Sequence, residues 1–260
     1  MTKPNILILM VDQLNGTFFP DGPADWLHAP NLKKLAARSA RFSHCYTASP
    51  LCAPGRASFM SGQLPSVTGV YDNAAEFPSD LPTYAHHLRR AGYQTCLSGK
   101  MHFVGPDQMH GFEERLTTEI YPADMSWTPD ADFRDYNKDE ECAYTFGVST
   151  IDTVRDAGPV ARSMQIDNDE DVIHHAVREL YDRARSQNDR PFLLTVSLTH
   201  PHDPYVTTRE FWDIYGGAEI EDPRVPFIPV EDRDPHSRSL FYHYGQDKCE
   251  LDDQDYRKAR

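Results

Sequence analysis

Residues 5–11 read NILILMV and residues 191–199 read PFLLTVSLT, and these two stretches decide the fold. Each is a short, continuous apolar run with β-branched members, which is typical of a strand buried on both faces. Asp12 follows the first run directly, and His200 and His202 follow the second. Ligands of α/β folds bind outside the carboxyl ends of parallel strands, so these polar residues are candidates for a site.

Apolar residues at helical spacing separate the two strands. One helix is predicted from Pro30, and a second is opened by Asp80 and Pro82. A third covers residues 169–185, and a further short strand is expected near residues 95–97. The third helix has an inward stripe of Val172, Ile173, Ala176, Val177, Leu180 and Ala184. Strands that alternate with helices predict an α/β fold with a central, mostly parallel sheet flanked by helices.

Composition excludes several classes of protein. The 260 residues carry a formal charge of −14, which argues against nucleic-acid binding and against an anionic membrane surface. No stretch reaches the roughly 18 apolar residues of a membrane helix, and residues 1–10 lack the cleavage site of a signal peptide. Five scattered cysteines fit a reducing compartment. The sequence therefore predicts a cytoplasmic protein that acts on a small substrate.

The segment with the most chemical information is Cys52-Ala53-Pro54-Gly55-Arg56, followed by Ser61-Gly62. A proline just after Cys52 suits a first helical turn, so residue 52 is expected at a helix N-terminus, where free N–H groups favour an anion. Arg56 lies about one turn further on and can add charge-assisted hydrogen bonds. A buried structural cysteine in a proline-capped helix is the alternative, and the short segment alone does not decide between them.

Three further elements occur in a fixed order around this segment. They are Asp12-Gln13 at a strand end, Gly99-Lys100-Met101-His102, and Pro201-His202-x-Pro204. Together the four elements resemble those of the formylglycine-dependent sulfatases of the alkaline phosphatase superfamily. The resemblance covers most of residues 4–206. It is nearest to the choline sulfatases and to the related phosphonate monoester hydrolases, which share an Asp-Gln pair where many sulfatases have Asp-Asp.

The resemblance implies a role for each matching residue. Cys52 would be converted to formylglycine by a formylglycine-generating or equivalent enzyme, and its hydrated aldehyde would be the nucleophile. Arg56 and Lys100 would stabilise charge on the transferring sulfate. His102 would be the base that releases sulfate, and His202 would assist the leaving alcohol.

The same resemblance implies a metal site made from Asp12, Gln13 and the converted Cys52. Carboxylate and amide oxygens suit a hard divalent ion, with calcium favoured over manganese and magnesium. Taken alone, Asp12 has an alternative interpretation as a helix cap, and Lys100 as a solvated lysine. His200 and His202 also resemble a zinc pair, but no third ligand has a clear spacing.

The polar, aromatic stretch 105–168 is interpreted as loops above the sheet edge, and we expect these loops to determine which substrate binds. Within it, residues 125–130 (MSWTPD) look like a choline sulfatase segment, and Trp127 could hold a quaternary ammonium by cation–π attraction. A loop tryptophan that packs on the core is the alternative. His200 is a second substrate-binding candidate beside His202. Tyr71 and Asp72 are weaker candidates.

Two departures limit the resemblance. Gly55 replaces the serine that is commoner in the signature. The family's C-terminal metal segment and a further catalytic lysine have no match before Arg260. Residues 1–260 are therefore predicted to form the N-terminal portion of one sulfatase catalytic domain, with 219–260 irregular and truncated.

Three hypotheses remain open at this stage. The first is a sulfatase acting on a small sulfate ester, with choline sulfate as the expected substrate. The second is a phosphonate or phosphate ester hydrolase of the same superfamily, and the third is an inactive truncated fragment. Whether the protein forms a homo-oligomer is also open.

Overall fold

The structure, a computed structural model, describes residues 3–19, 21–124, 151–216 and 227–260. Its strands are β1 (Ile6–Val11), β2 (Gln94–Gly99), β3 (Glu114–Arg115), β4 (Gly158–Pro159), β5 (Phe192–Leu198) and β6 (Val206–Thr207). Its α-helices are α1 (Pro30–Ala36), α2 (Cys52–Ser61), α3 (Pro65–Thr68), α4 (Tyr84–Arg90), α5 (Asp152–Arg155), α6 (Met164–Arg185), α7 (Arg209–Ile214), α8 (Pro235–His243) and α9 (Asp253–Ala259). Short 3-10 helices occupy Gly16–Phe18 and Val230–Asp232. The Trp127 segment lies outside the described residues.

The chain divides into two compact units. The first comprises residues 1–14, 44–128 and 164–201, and the second comprises residues 15–43, 129–163 and 202–260. Whether both belong to one sulfatase catalytic domain stays a prediction. No helix in the described ranges is long and apolar enough to cross a bilayer.

The first unit is built on a four-stranded sheet in the order β1-β5-β2-β3, with every pair parallel. One face packs on α2 and α4 through a core that contains Ala57, Met60, Ala85, Leu97 and Leu193. The other face packs on α6, where Val172 and Ala176 meet Cys96, Leu194 and Val196. The predicted α/β architecture is therefore confirmed.

β1 is at the edge of this sheet, and one of its faces is open among the described residues. Leu7, Leu9 and Val11 are 55%, 60% and 41% exposed, whereas Ile6, Ile8 and Met10 pack against the α2 and α4 core. The prediction that this strand is buried on both faces was wrong. The apolar run met the requirement for a buried strand, but α6 covers β2 and β5 rather than β1.

Two helices begin at residues other than those predicted. α4 starts at Tyr84 instead of near Asp80, because Thr83 caps it and His86 completes a capping box. α6 starts at Met164, five residues before the predicted Asp169. Of its predicted inward stripe, Ile173 and Val177 are 42% and 44% exposed.

The second unit contains the parallel pair β4 and β6, together with α1, α5, α7, α8 and α9. In α1, Leu32 and Leu35 lie at helical spacing but are exposed among the described residues. Asp234 caps α8, and Asp252 forms a capping box with Asp255 at the start of α9. Residues 227–260, expected to be irregular, thus include helices with well-formed N-termini.

Gly99 allows β2 to end close to β5. Its φ of 101° lies in the left-handed region, and a Cβ at this position would lie 2.0 Å from the Ser197 carbonyl oxygen. No other residue can make this approach without moving the strands. The same carbonyl accepts a 3.0 Å hydrogen bond from the Lys100 N–H. Gly99 therefore fixes where Lys100 leaves the sheet.

His110 is a fully buried histidine in an aromatic environment of the first unit. Its ring stacks on Phe77 at 4.2 Å and meets the edge of Phe103 at 4.5 Å. Burial lowers the pKa of His110 to about 4, and Asp107, whose Oδ2 is 3.6 Å from Nδ1, only partly opposes this effect. The folded state therefore resists protonation of this imidazole.

This histidine makes the fold sensitive to acid. Because the folded pKa of about 4 is below the ordinary 6.5, the unfolded state binds more protons between these values, and the free energy of unfolding falls as pH drops through that window. Replacing His110 by phenylalanine should flatten this fall, measured by urea unfolding at pH 7 and at pH 5. His87→Phe, on the exposed side of α4, is the control and should keep the wild-type slope. Equal slopes for all three proteins would contradict the assignment.

Candidate active site

Three strand ends converge at the carboxyl edge of the first unit's sheet. β1 leads into Asp12, β2 into Lys100, and β5 into Thr199 and His200. Because β5 lies between β1 and β2 in a parallel sheet, these three ends are neighbours. The sequence placed Asp12 and His200 at this edge, and the structure adds Lys100 and brings it into direct contact with Asp12.

α2 brings Cys52 to this edge. The helix begins at Cys52 as predicted, and the Ala53 N–H in its first turn donates to Asn73 Oδ1 at 3.0 Å. The N-terminus of the helix gives this position a partial positive charge. A Cβ at Gly55 would lie 3.1 Å from the Ser49 carbonyl oxygen, so a serine there would need the preceding loop to shift slightly. Glycine at this position fits without such a shift.

Four side chains meet at the start of α2. The Cys52 Sγ lies 3.7 and 4.0 Å from the two carboxylate oxygens of Asp12 and 3.7 Å from Lys100 Nζ. Lys100 Nζ forms an ion pair with Asp12 Oδ2, which Arg56 Nη2 also approaches at 3.4 Å. Two cations thus surround one carboxylate. With a neutral thiol at position 52 the group carries a net positive charge, which suits an anion.

The Arg56 side chain is buried and contacts groups of the protein itself. Its Nη1 donates to the Lys100 carbonyl oxygen at 2.5 Å and to Ser197 Oγ at 2.9 Å. With Nη2 near Asp12, the guanidinium ties together the ends of β1, β2 and β5. This geometry assigns Arg56 the task of fixing Asp12 and Lys100, and its predicted contact with substrate oxygens stays a prediction.

The thiol of Cys52 is not set up as a reactive thiolate. Burial raises its pKa, and the neighbouring Lys100 only partly offsets this effect. A protonated thiol is a weak nucleophile at neutral pH. An unmodified Cys52 is therefore poorly suited to act as a nucleophile.

His102 is held in an unusual backbone conformation two residues after Lys100. Its φ is 56°, and its ring lies 5.4 Å from the ring of Tyr121, which also faces Lys100 Nζ at 4.3 Å. Burial, and then the charge of Lys100, lower the pKa of His102 to about 4. Its imidazole is consequently neutral at physiological pH, the form that a general base requires.

The two histidines that follow β5 belong to different units. In the first, Asp169 of α6 accepts hydrogen bonds from the Thr199 and His200 N–H groups at 2.7 and 2.9 Å, and its Oδ2 lies 2.8 Å from His200 Nδ1. In the second, His202 Nδ1 lies 3.0 Å from Asp203 Oδ1. The roles predicted for both histidines stay predictions.

The remaining candidates carry less information. Gln13 has a left-handed φ of 59° directly after Asp12. Tyr71 is exposed, and Asp72 Oδ1 accepts the Ala74 N–H in a local turn. Trp127 lies outside the described residues, so its role stays a prediction.

Sequence reasoning missed four polar residues that support the site, namely Asn73, Glu119, Asp169 and Ser197. They contact backbone groups or Arg56, and Asp169 and Glu119 also pair with the side chains of His200 and Arg115. No sequence motif predicts such contacts. Only Asp169, in the first turn of a predicted helix near a strand end, offered a signal.

The fold and the site together define an α/β protein that can hold an oxyanion at the carboxyl edge of a parallel sheet. The family model described as Sulfatase matches residues 4–241. The chain therefore belongs to the sulfatase family, whose members generally use a metal ion and a formylglycine.

Named relatives agree with this assignment. The chain is 57% identical to choline-sulfatase of Rhizobium meliloti (strain 1021), over 99% of this chain and 50% of that protein. It is 26% identical to an arylsulfatase of Clostridium perfringens, over 85% of this chain and 48% of that protein. The chain thus spans about half the length of the curated relatives it matches.

Solved structures confirm the fold. The phosphonate monoester hydrolase of Silicibacter pomeroyi superposes with a TM-score of 0.63 at 20% identity, over 99% of this chain and 55% of that one. A protein solved with its substrate D-glucosamine-2-N,6-O-disulfate gives a TM-score of 0.57 at 18% identity, over 86% of this chain and 40% of that one. Both support the predicted alkaline-phosphatase-like architecture.

Proposed function

We propose that the whole protein hydrolyses choline sulfate to choline and sulfate, with a formylglycine made from Cys52 supplying the nucleophilic oxygen. The observation that carries the proposal is the position of Cys52 at the start of α2, in contact with Lys100 and Asp12. The 57% identity to a choline-sulfatase supports the choice of substrate. The raised pKa of the thiol supports conversion, because an unmodified Cys52 would be a weak nucleophile.

The donors at the edge of the sheet fit the expected metal. Asp12 offers a carboxylate that faces residue 52, and Gln13 offers an amide oxygen, a set that suits a hard divalent ion with calcium as our first choice. Such an ion would polarise the attacking hydroxyl, and the hydrated aldehyde of residue 52 would supply that hydroxyl. Arg56 would keep Asp12 in place while the ion is bound.

The remaining steps belong to side chains of this chain. Lys100 would hold a sulfate oxygen and stabilise the charge that builds up as the sulfur–oxygen ester bond breaks. His202 would donate a proton to the leaving choline oxygen. Neutral His102 would then remove the proton of the second hydroxyl at residue 52, so that sulfate leaves and the aldehyde is restored.

We place this reaction in the cytoplasm. The described cysteines Cys45, Cys52, Cys96 and Cys249 are all free, which fits a reducing compartment. A free thiol at Cys52 is also the form that a modifying enzyme converts to formylglycine.

A second candidate function is hydrolysis of a phosphonate or phosphate ester, favoured by the Asp12-Gln13 pair. A positively charged site at a helix start serves phosphorus as well as sulfur. Comparing kcat/KM for choline sulfate, an aryl sulfate and an aryl phosphonate separates the two. We expect choline sulfate to give the highest value, and a preference for the phosphonate would reverse the assignment. Protein that binds neither metal nor substrate would instead support the inactive fragment.

Trp127 provides a test of choline recognition. Replacing Trp127 by alanine should raise KM for choline sulfate by about tenfold, because the cation–π contact with the ammonium group is lost and such a contact contributes roughly 1–2 kcal/mol. Turnover of an uncharged aryl sulfate should change little. Trp127→Phe is the matched control, since it keeps an aromatic face and should lose less affinity. An equal loss on both substrates would contradict a role in binding the ammonium group.

A further inference from the structure

The chain segment after β3 places alternate side chains along the Lys100–His102 turn. Thr117 Oγ1 accepts the Gly99 N–H at 2.8 Å. Glu119 Oε2 accepts the N–H groups of Met101 and His102, at 3.0 and 2.9 Å. Thr117 and Glu119 therefore reach the backbone at the end of β2 and just after it. This segment falls in the stretch that sequence reasoning interpreted only as substrate loops.

Glu119 is itself fixed by a buried ion pair. Arg115 Nη2 lies 2.8 Å from Glu119 Oε2, and the two side chains are 10% and 6% exposed. The Arg115 Nη1 also donates to the backbone and side-chain oxygens of Gln108, at 3.0 and 3.1 Å. Gln108 in turn donates to the Phe103 carbonyl oxygen at 2.8 Å. Arg115 thus links the support at Glu119 to a second support just beyond His102.

The turn needs such support because His102 has a positive φ of 56°. A non-glycine residue in this region is strained and persists only where its surroundings hold it. One carboxylate oxygen that accepts two consecutive N–H groups favours this local shape, and hydrogen bonds to a charged acceptor are stronger than neutral ones. The shape of the turn decides where Lys100 Nζ and the His102 imidazole lie.

We propose that Glu119, supported by Arg115, is a positioning residue that holds Lys100 and His102 for catalysis. The proposal rests on the proposed function, because Lys100 and His102 have a task only if the site transfers sulfate. Glu119 reaches the reaction through the backbone of the turn, so its removal should lower the rate more than it weakens substrate binding.

The test uses Glu119→Gln and Glu119→Ala, with Glu114→Gln as the matched control. Glu114 is an exposed residue of β3, and its substitution should leave kinetics at wild-type values. Both Glu119 variants should lower kcat by roughly tenfold to a hundredfold with KM changed much less, because a small displacement of catalytic groups costs about this much. The glutamine variant keeps one acceptor oxygen and should retain more activity than the alanine variant. Unchanged kcat in folded Glu119 variants would overturn the proposal.

Amide hydrogen exchange gives a readout that does not depend on turnover. In the Glu119 variants the Met101 and His102 amides should exchange faster, while the Leu97 amide in β2 should keep its protection. Wild-type exchange at both turn amides in Glu119→Ala would also overturn the proposal. If the unsubstituted protein hydrolyses no sulfate ester, the proposed function fails, while the exchange experiment still shows whether Glu119 holds the turn.

Discussion

Replacing Cys52 by alanine should abolish hydrolysis of choline sulfate and leave the fold intact. Removal of a nucleophile costs on the order of 10⁴-fold or more in kcat. Cys52 is at the start of α2, only partly buried, and makes no contact in the main core, so the thermal midpoint should shift little. The measurement is kcat on protein produced together with a formylglycine-generating enzyme, with thermal unfolding in parallel.

Two further variants sharpen this result. Cys45→Ala removes an exposed free cysteine and should keep full activity. Cys52→Ser supplies a single hydroxyl, which can be sulfated but has no second hydroxyl for release of sulfate, so it should support at most one turnover. Mass spectrometry of the peptide spanning residues 42–56 should show conversion of the thiol to an aldehyde in the active protein alone. Activity in the alanine variant, or full activity with an unconverted thiol, would exclude the mechanism.

Replacing Asp12 by asparagine should have the second largest effect, because it acts on stability and on metal binding together. Lys100 is fully buried and would lose its carboxylate partner, as would Arg56. Leaving a buried charge without its counter-ion costs about 3–5 kcal/mol in the free energy of unfolding. Urea unfolding in a chelating buffer measures this part, and calorimetric titration with calcium should show affinity reduced at least about tenfold, because the charged ligand is gone.

Two other substitutions show whether the loss of stability comes from an unpaired buried charge or would follow any substitution of an ion-paired residue. Lys100→Met should destabilise the metal-free protein less than Asp12→Asn, since Asp12 keeps Arg56 as a partner. Asp182→Asn breaks an exposed pair with Arg178 and should cost less than about 1 kcal/mol. If Asp12→Asn were no more destabilising than Asp182→Asn, the buried cluster would not contribute to stability as described.

Much of the fold was readable from local patterns. Apolar runs predicted β1 and β5, and helical spacing predicted α1, α4 and α6, with errors at the starts of α4 and α6. The error at α4 has a local cause, because Thr83 caps the helix. The exposed face of β1 is a different kind of error, because a strand's composition does not show which neighbours will cover it.

The site divides in the same way. Asp12, Cys52, Arg56 and Lys100 stand at motif positions, and the structure brings these four together. The residues that hold these four in place do not stand at motif positions. Glu119 and Ser197 act on backbone amides or on the Arg56 guanidinium, and many polar residues could make such contacts.

The sequence by itself determined the α/β class and the order of the chemical elements around Cys52, because both are carried by side-chain type and by spacing along the chain. Only the tertiary structure decided that Arg56 ties three strand ends together, that Lys100 pairs with Asp12 across 88 positions, and that Glu119 holds the turn at His102. Contacts between distant residues depend on strand order and on the path of the backbone. In this protein that path is set by parallel pairing around β5 and by the close approach at Gly99.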